Sequence, residues 1–219
     1  MGGILNRTWE MLHDGRFLKK ALMIACPVAL QGMLNTIVNM VDTLMIGGLG
    51  STAIAAVGLA NKVFFVFSLL VFGIVSGGGI LAAQFWGSGD VKNIRKVLGL
   101  CVMLAMVGAL FFVIPAIASP KMVMRIFTTS EGSIELGAKY LRIAALCYPF
   151  IALTNVYVAM LRASNKVVFP VICSCIAIAI NICLNYVLIF GKFGAPTMGV
   201  AGAACATLIA RCIEVTLVL

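Results

Sequence analysis

The sequence predicts an all-α membrane protein, a bundle of six transmembrane helices, and three observations carry that prediction. Hydrophobic residues make up 63% of the 219-residue chain and charged residues only 11%, with a mean hydropathy of +1.14. A soluble domain carries about 25% charged residues, so this chain has too few to cover a surface that faces water. Its apolar residues gather into long runs, and a span needs roughly 20 of them, because a rise of ~1.5 Å per residue must cross ~30 Å of hydrocarbon. The runs show no period-two alternation and exceed the roughly ten-residue strands of a membrane barrel.

The elements follow in order. Residues 1–20, MGGILNRTWEMLHDGRFLKK, are polar and amphipathic; they read as a cytoplasmic amino terminus rather than a cleavable signal peptide. Residues 21–219 hold the spans, at about Leu22–Ile46, Ala53–Phe85, Val97–Ala118, Leu136–Leu161, Val168–Phe190 and Val200–Leu219. The first contains Pro27, which removes a backbone donor and can kink a helix. The second is longer than one span needs and is expected to run past the membrane surface; Gly77, Gly78 and Gly79 within it allow close helix packing. Between the third and fourth, SPKMVMRIFTTSEGSIELGAKY is amphipathic and basic and predicts a short interfacial helix. The sixth carries a small-residue seam, Gly202, Ala206 and Ala210, of the kind that packs helices closely. It stops at Leu219 without a polar flank, which leads us to expect a fragment of a longer transporter.

The charges orient the bundle. With the amino terminus inside, one side receives Arg7, Arg16, Lys19, Lys20, Lys92, Arg95, Lys96, Arg162 and Lys166. The other receives the smaller set of Lys121, Arg125, Lys139, Arg142 and Lys192. The positive-inside rule therefore places the amino terminus in the cytoplasm. The net charge of +9 is explained by these loops beside an anionic leaflet and does not point to nucleic acid. Eight cysteines lie inside apolar runs without a CxxC pair, where a thiol behaves as a small apolar side chain. His13 in the tail needs no function. The sequence has no HExxH, GxSxG or P-loop, so an enzyme is not expected, and any transport must draw on an ion gradient rather than on ATP bound to this chain.

Polar side chains in hydrocarbon cost roughly 2.5–3.5 kcal/mol for a central aspartate and each needs an account. Gln31, Asn35, Asn39 and Asp42 lie four, four and three residues apart, within about 80° of arc on one helix face. They are either interhelical hydrogen-bonding groups or the wall of a water-accessible cavity whose carboxylate takes a proton or cation. Ser174, Asn181 and Asn185 form a second one-sided stripe in the fifth run, and Thr207 stands in the sixth. Hard oxygens of this kind can cage Na⁺ beside Asp42 or hydrogen-bond a carboxylate that cycles its proton. Lys62 is placed to snorkel outward, and Arg211 with Glu214 at i+3 reads as a structural ion pair.

Several stretches are similar to one family in register. PVALQGMLNTIVNMVDTLMIGGLGSTAIAAVGLANKVFF, GIVSGGGILAAQFWGSGD, LRASNKVVFPVICSCIAIAINICLNYVLIFGKFG and GVAGAACATLIARCIE resemble, in order, consecutive parts of the amino-terminal lobe of MATE (multidrug and toxic compound extrusion) exporters. The resemblance implies twelve helices in two lobes, of which this chain matches the first. It also implies alternating access, and export of an organic cation or amphipathic drug in exchange for H⁺ or Na⁺, with no other cofactor. The remaining wall would come from a carboxy-terminal lobe or a second copy. By the same resemblance Asp42, Asn181 and Thr207 match the family's cation site, which makes Na⁺ at Asp42, Asn181 and Thr207 one expectation. Asn185 stands where the family usually has an aspartate, which leaves proton coupling open. Two other readings compete: a lipid-linked oligosaccharide flippase, which would want an arginine-rich cavity, and a non-transporting membrane subunit, in which the polar stripes are purely structural.

Overall fold

The computed structural model describes residues 15–194 and 196–219, so most of the expected amphipathic terminus, with Arg7 and His13, lies outside the described residues. Described elements are all helical. They are α1 (Gly15–Gly47), α2 (Ser51–Gly87), α3 (Val91–Ala118), α4 (Pro120–Arg125), α5 (Glu131–Ala144), α6 (Tyr148–Ala163), α7 (Val168–Phe190) and α8 (Val200–Val218). A single 3₁₀ turn, Ala145–Cys147, joins α5 to α6. Among the described residues, five helical stretches are long and apolar enough to cross a membrane: α2, α3, α5 with α6, α7 and α8. With α1, whose 33 residues contain the first apolar run, they make the six long rods the sequence predicts.

Turn chemistry sets the ends. At the α1–α2 junction Leu49 N–H donates to the Ile46 carbonyl at 2.9 Å and Gly50 N–H to that of Gly47 at 3.1 Å. Gly50 sits at φ 109°, a conformation only glycine adopts cheaply. Asp90 caps α3, its Oδ1 accepting from the Asn93 backbone at 3.1 Å and its Oδ2 from the Asn93 amide at 2.6 Å. A short helix does precede the fourth span, α4, six residues long. Three rods begin a turn or more earlier than the apolar runs predict: α1 at Gly15 and not Leu22, α3 at Val91 and not Val97, and the fourth as well. The fourth rod begins at Glu131, not Leu136, and is not one continuous α-helix: the 3₁₀ turn interrupts it just before Pro149, which cannot donate to the preceding turn.

Packing divides the bundle into two blocks. The apolar block joins α2, α3, α5 and α6 around Phe67, which is fully buried. Its ring stacks on Tyr148 with centroids 4.6 Å apart and meets Phe112 edge-on at 5.8 Å, geometries that add to plain area burial. The second block is α7 against α8, with α1 packed chiefly on α7. Here the small-residue seam does what its spacing implies. A Cβ built on Gly202 would lie 2.6 Å from the Leu188 carbonyl oxygen, so the two backbones touch. Outside, Phe72, Phe111, Met40 and Leu44 stand more than half exposed; lipid is the solvent that suits them. Lys62 is exposed as expected. All eight cysteines are free.

Candidate cation site and adjoining cavities

Neighbouring rods in sequence run in opposite directions, so the end of α1 meets the end of α7 and the start of α8. That arrangement brings Asp42, Asn185, Asn181 and Thr207 together from three helices. The Asn185 amide Nδ2 donates to Asp42 Oδ1 at 2.5 Å and to Asn181 Oδ1 at 3.2 Å. Asn181 Nδ2 donates to Thr207 Oγ1 at 3.4 Å, and that hydroxyl donates to the Ala203 carbonyl at 3.0 Å. An ionised Asp42 only accepts, so in that form the bond turns the Asn185 amide nitrogen toward the carboxylate. The Asn185 amide oxygen is buried and has no partner among the described residues. A buried amide oxygen left this way costs about 1–3 kcal/mol unless something occupies it.

Asp42 and Asn181 stand in the wall of a cavity of about 400 Å³, with Thr207, Asn35, Asn39, Tyr140, Tyr148 and Phe64. The oxygens of Asp42, Asn181, Asn185 and Thr207 are hard ligands of the kind Na⁺ takes, and Asp42 equally suits a proton. The fully buried Asn185 is the hinge of the cluster, bonded to both Asp42 and Asn181.

The predicted α1 stripe does not serve one site. Asn35 and Asn39 line the first cavity and also a second of about 420 Å³, whereas Gln31 belongs to the second alone. Gln31 Oε1 accepts from Arg162 Nη2 at 2.5 Å, and its amide donates to Ser174 Oγ at 2.7 Å. Ser174 in turn donates to Glu214 Oε1 at 2.8 Å, and Arg211 holds Glu214 Oε2 at 2.5 Å. Helical phase explains the split. Gln31 and Asp42 share a face of α1 but lie ~16 Å apart along it at ~1.5 Å per residue; likewise Ser174 and Asn185 on α7. The ion pair Arg211–Glu214 exists as the sequence suggests, and it is one end of a chain that reaches α1 and α6.

Sequence reasoning left out Arg162, counted only as a loop cation, and Thr154 and Asn155, which also line the second cavity. Thr154 and Asn155 carried the same signal as the stripes, polar groups inside an apolar run. Arg162 carried none, because a basic residue at a helix end is ordinary.

The fold and these buried polar seams define a multi-pass helical membrane protein. The MatE family profile matches residues 27–187, and the chain belongs to that family. It is 32% identical over 195 residues to the probable multidrug resistance protein NorM of Thermotoga maritima, covering 88% of this chain and 42% of that protein. It is also 32% identical over 192 residues to the probable multidrug resistance protein YoeA of Bacillus subtilis, covering 84% and 40%. The chain thus spans less than half the length of the curated relatives it matches. Among solved structures it resembles an outward-facing multidrug resistance MATE family transporter of the MOP superfamily, with TM-score 0.82, 23% identity and coverage of 91% of this chain and 44% of that one. It also resembles a MATE protein in its bent conformation, with TM-score 0.80, 23% identity and coverage of 91% and 44%. Members of this family are transporters, not enzymes.

Proposed function

We propose that the chain is the amino-terminal lobe of a cation-coupled exporter of organic cations or amphipathic drugs, working by alternating access in the cytoplasmic membrane with its amino terminus in the cytoplasm. The observation that carries this reading is Asp42 at the wall of a cavity, held by Asn185, with the Asn185 oxygen unpartnered beside it. A carboxylate in that position exchanges its coupling ion with the cavity, while the amide chain to Thr207 keeps it aimed. H⁺ or Na⁺ neutralises Asp42 when bound. A cationic substrate and the coupling ion then compete for one negative charge, which is the minimum an antiporter needs. That the curated relatives are probable multidrug resistance proteins supports a drug as the substrate.

The test is ethidium efflux from cells expressing the gene that carries this chain, against Asp42→Asn. The substitution keeps the shape and removes the charge. Efflux is expected to fall at least about tenfold, the loss of ~1.4 kcal/mol or more, with membrane abundance unchanged. Undiminished efflux in Asp42→Asn would remove Asp42 as the coupling residue.

A further inference from the structure

We propose that the first turns of α3, with the exposed face below them, bind an anionic diacyl phospholipid. Its phosphate sits on Lys92 and Lys96 and its chains lie along Leu100, Met103, Leu104 and Val107; the site does not depend on the export reading. Charges at the two ends of the bundle are handled differently. At the end that holds α4, Arg125 pairs with Glu131 at 3.4 Å and Lys139 with Glu135 at 3.1 Å. At the end where α2 turns into α3, Lys92, Arg95 and Lys96 are all exposed. Among the described residues no carboxylate lies within ion-pairing distance of any of them. The acid beside them, Asp90, is already committed: both of its oxygens accept from Asn93 in capping α3. A cluster of cations so close together along one helix end, with no acid to answer it, attracts an anion from outside the protein.

Helix geometry says which anion. α3 has 28 residues, ~42 Å at ~1.5 Å each, close to the ~40–45 Å of a bilayer with its headgroup layers. Its first turns therefore lie at headgroup level. So does the partly exposed Trp86 at the end of α2, an aromatic of the kind that sits in that layer. At ~100° per residue, Lys92, Lys96, Leu100, Met103, Leu104 and Val107 fall within about 120° of arc. The two ammonium groups thus stand above a single apolar stripe, whose members are between 45% and 62% exposed. That stripe reaches about the middle of the bilayer. No described residue of α3 lines either cavity, so the face looks away from the polar path. A soluble anion would use the cations and leave the stripe bare; a zwitterionic lipid would cover the stripe and leave the cations unneutralised. A lipid with a negative headgroup matches both.

The test identifies the lipid that lies against α3. The protein encoded by the gene that carries this chain is reconstituted in vesicles of equal phosphatidylglycerol and phosphatidylcholine with identical acyl chains. Benzoylphenylalanine stands in place of Leu100, and the molecule it captures on irradiation is identified by its mass. Phosphatidylglycerol is expected to be captured about fivefold more than phosphatidylcholine, the attraction of one lysine for an anionic lipid surface. The same photoprobe in place of Ile114, on the same face near the far end of α3 and itself exposed, is expected to capture the two lipids equally. Lys92→Gln with Lys96→Gln is expected to bring the Leu100 probe to parity, and Lys92→Arg with Lys96→Arg to keep its preference. Equal capture at Leu100 with both lysines present would overturn the site, as would the same preference at Ile114 or a preference that survives both glutamine substitutions. Capture of protein instead of lipid at Leu100 would overturn it too, in favour of a second copy or a further lobe on this face. The first comparison leaves every charge in place, so it decides the matter even where the glutamine variant does not insert. Ethidium efflux is a separate readout, so loss of the lipid site leaves the export reading standing, and the reverse.

Discussion

At the scale of single residues, Asn185 is the most informative position. An amide there donates to Asp42 at 2.5 Å; an aspartate would set a second carboxylate in the same contact, tolerable only with a proton or a cation between them. Asn185→Asp is therefore expected to become cation-stabilised. Its melting temperature should rise on exchanging choline chloride for NaCl by several degrees more than that of the unmodified protein, because binding to the folded state alone adds stability. An equal response in both proteins would mean that the Asp42 cluster does not hold Na⁺ even with two acids. Phe67 offers a contrast, since its ring packs against the aromatic rings of Tyr148, Phe112 and Phe64. Phe67→Ala removes the stack on Tyr148 and leaves a void at the centre of the apolar block. It is expected to cost about 3–5 kcal/mol, read as a lower melting temperature, with the Asp42 cluster intact.

At the scale of elements, Gly202 decides how α7 and α8 meet. Because the atom that a Cβ would strike is backbone, nothing nearby can swing away. Gly202→Ala is expected to destabilise by about 1–3 kcal/mol and Gly202→Leu to prevent accumulation of folded protein, both measured by the fraction surviving size-exclusion chromatography after heating. The helices and this seam were legible in the sequence because hydrocarbon leaves a chain few choices: long apolar runs must be helices, and small residues four apart mark a contact. Asp42, Asn181 and Thr207 were singled out because a polar group in such a run has to be used. What spacing alone could not give is which stripes meet. Period alone put Gln31 with Asp42 and Ser174 with Asn185, and only the axial distance along α1 and α7 separates them into two networks. The break before Pro149 and the reach of Arg162 to Gln31 depend on how α5, α6 and α1 pack, which no local pattern encodes.

At the scale of the molecule, the two cavities share Asn35, Asn39 and Arg211 as common wall, so the Arg162–Gln31–Ser174–Glu214 network and the Asp42 cluster lie along one polar path. Export coupled to a cation gradient is expected to stop under a protonophore or on replacing Na⁺ by K⁺; persistence under both would exclude cation coupling. The direct contact of α7 and α8 backbones has a mechanical consequence. Two rods touching peptide to peptide have no side-chain cushion over which to slide, so the pair behaves as a single plank. If the lobe works by alternating access as proposed, the plank tilts as a unit against the aromatic block, and distances measured between spin labels on α7 and α8 should stay fixed while those from either helix to α2 change.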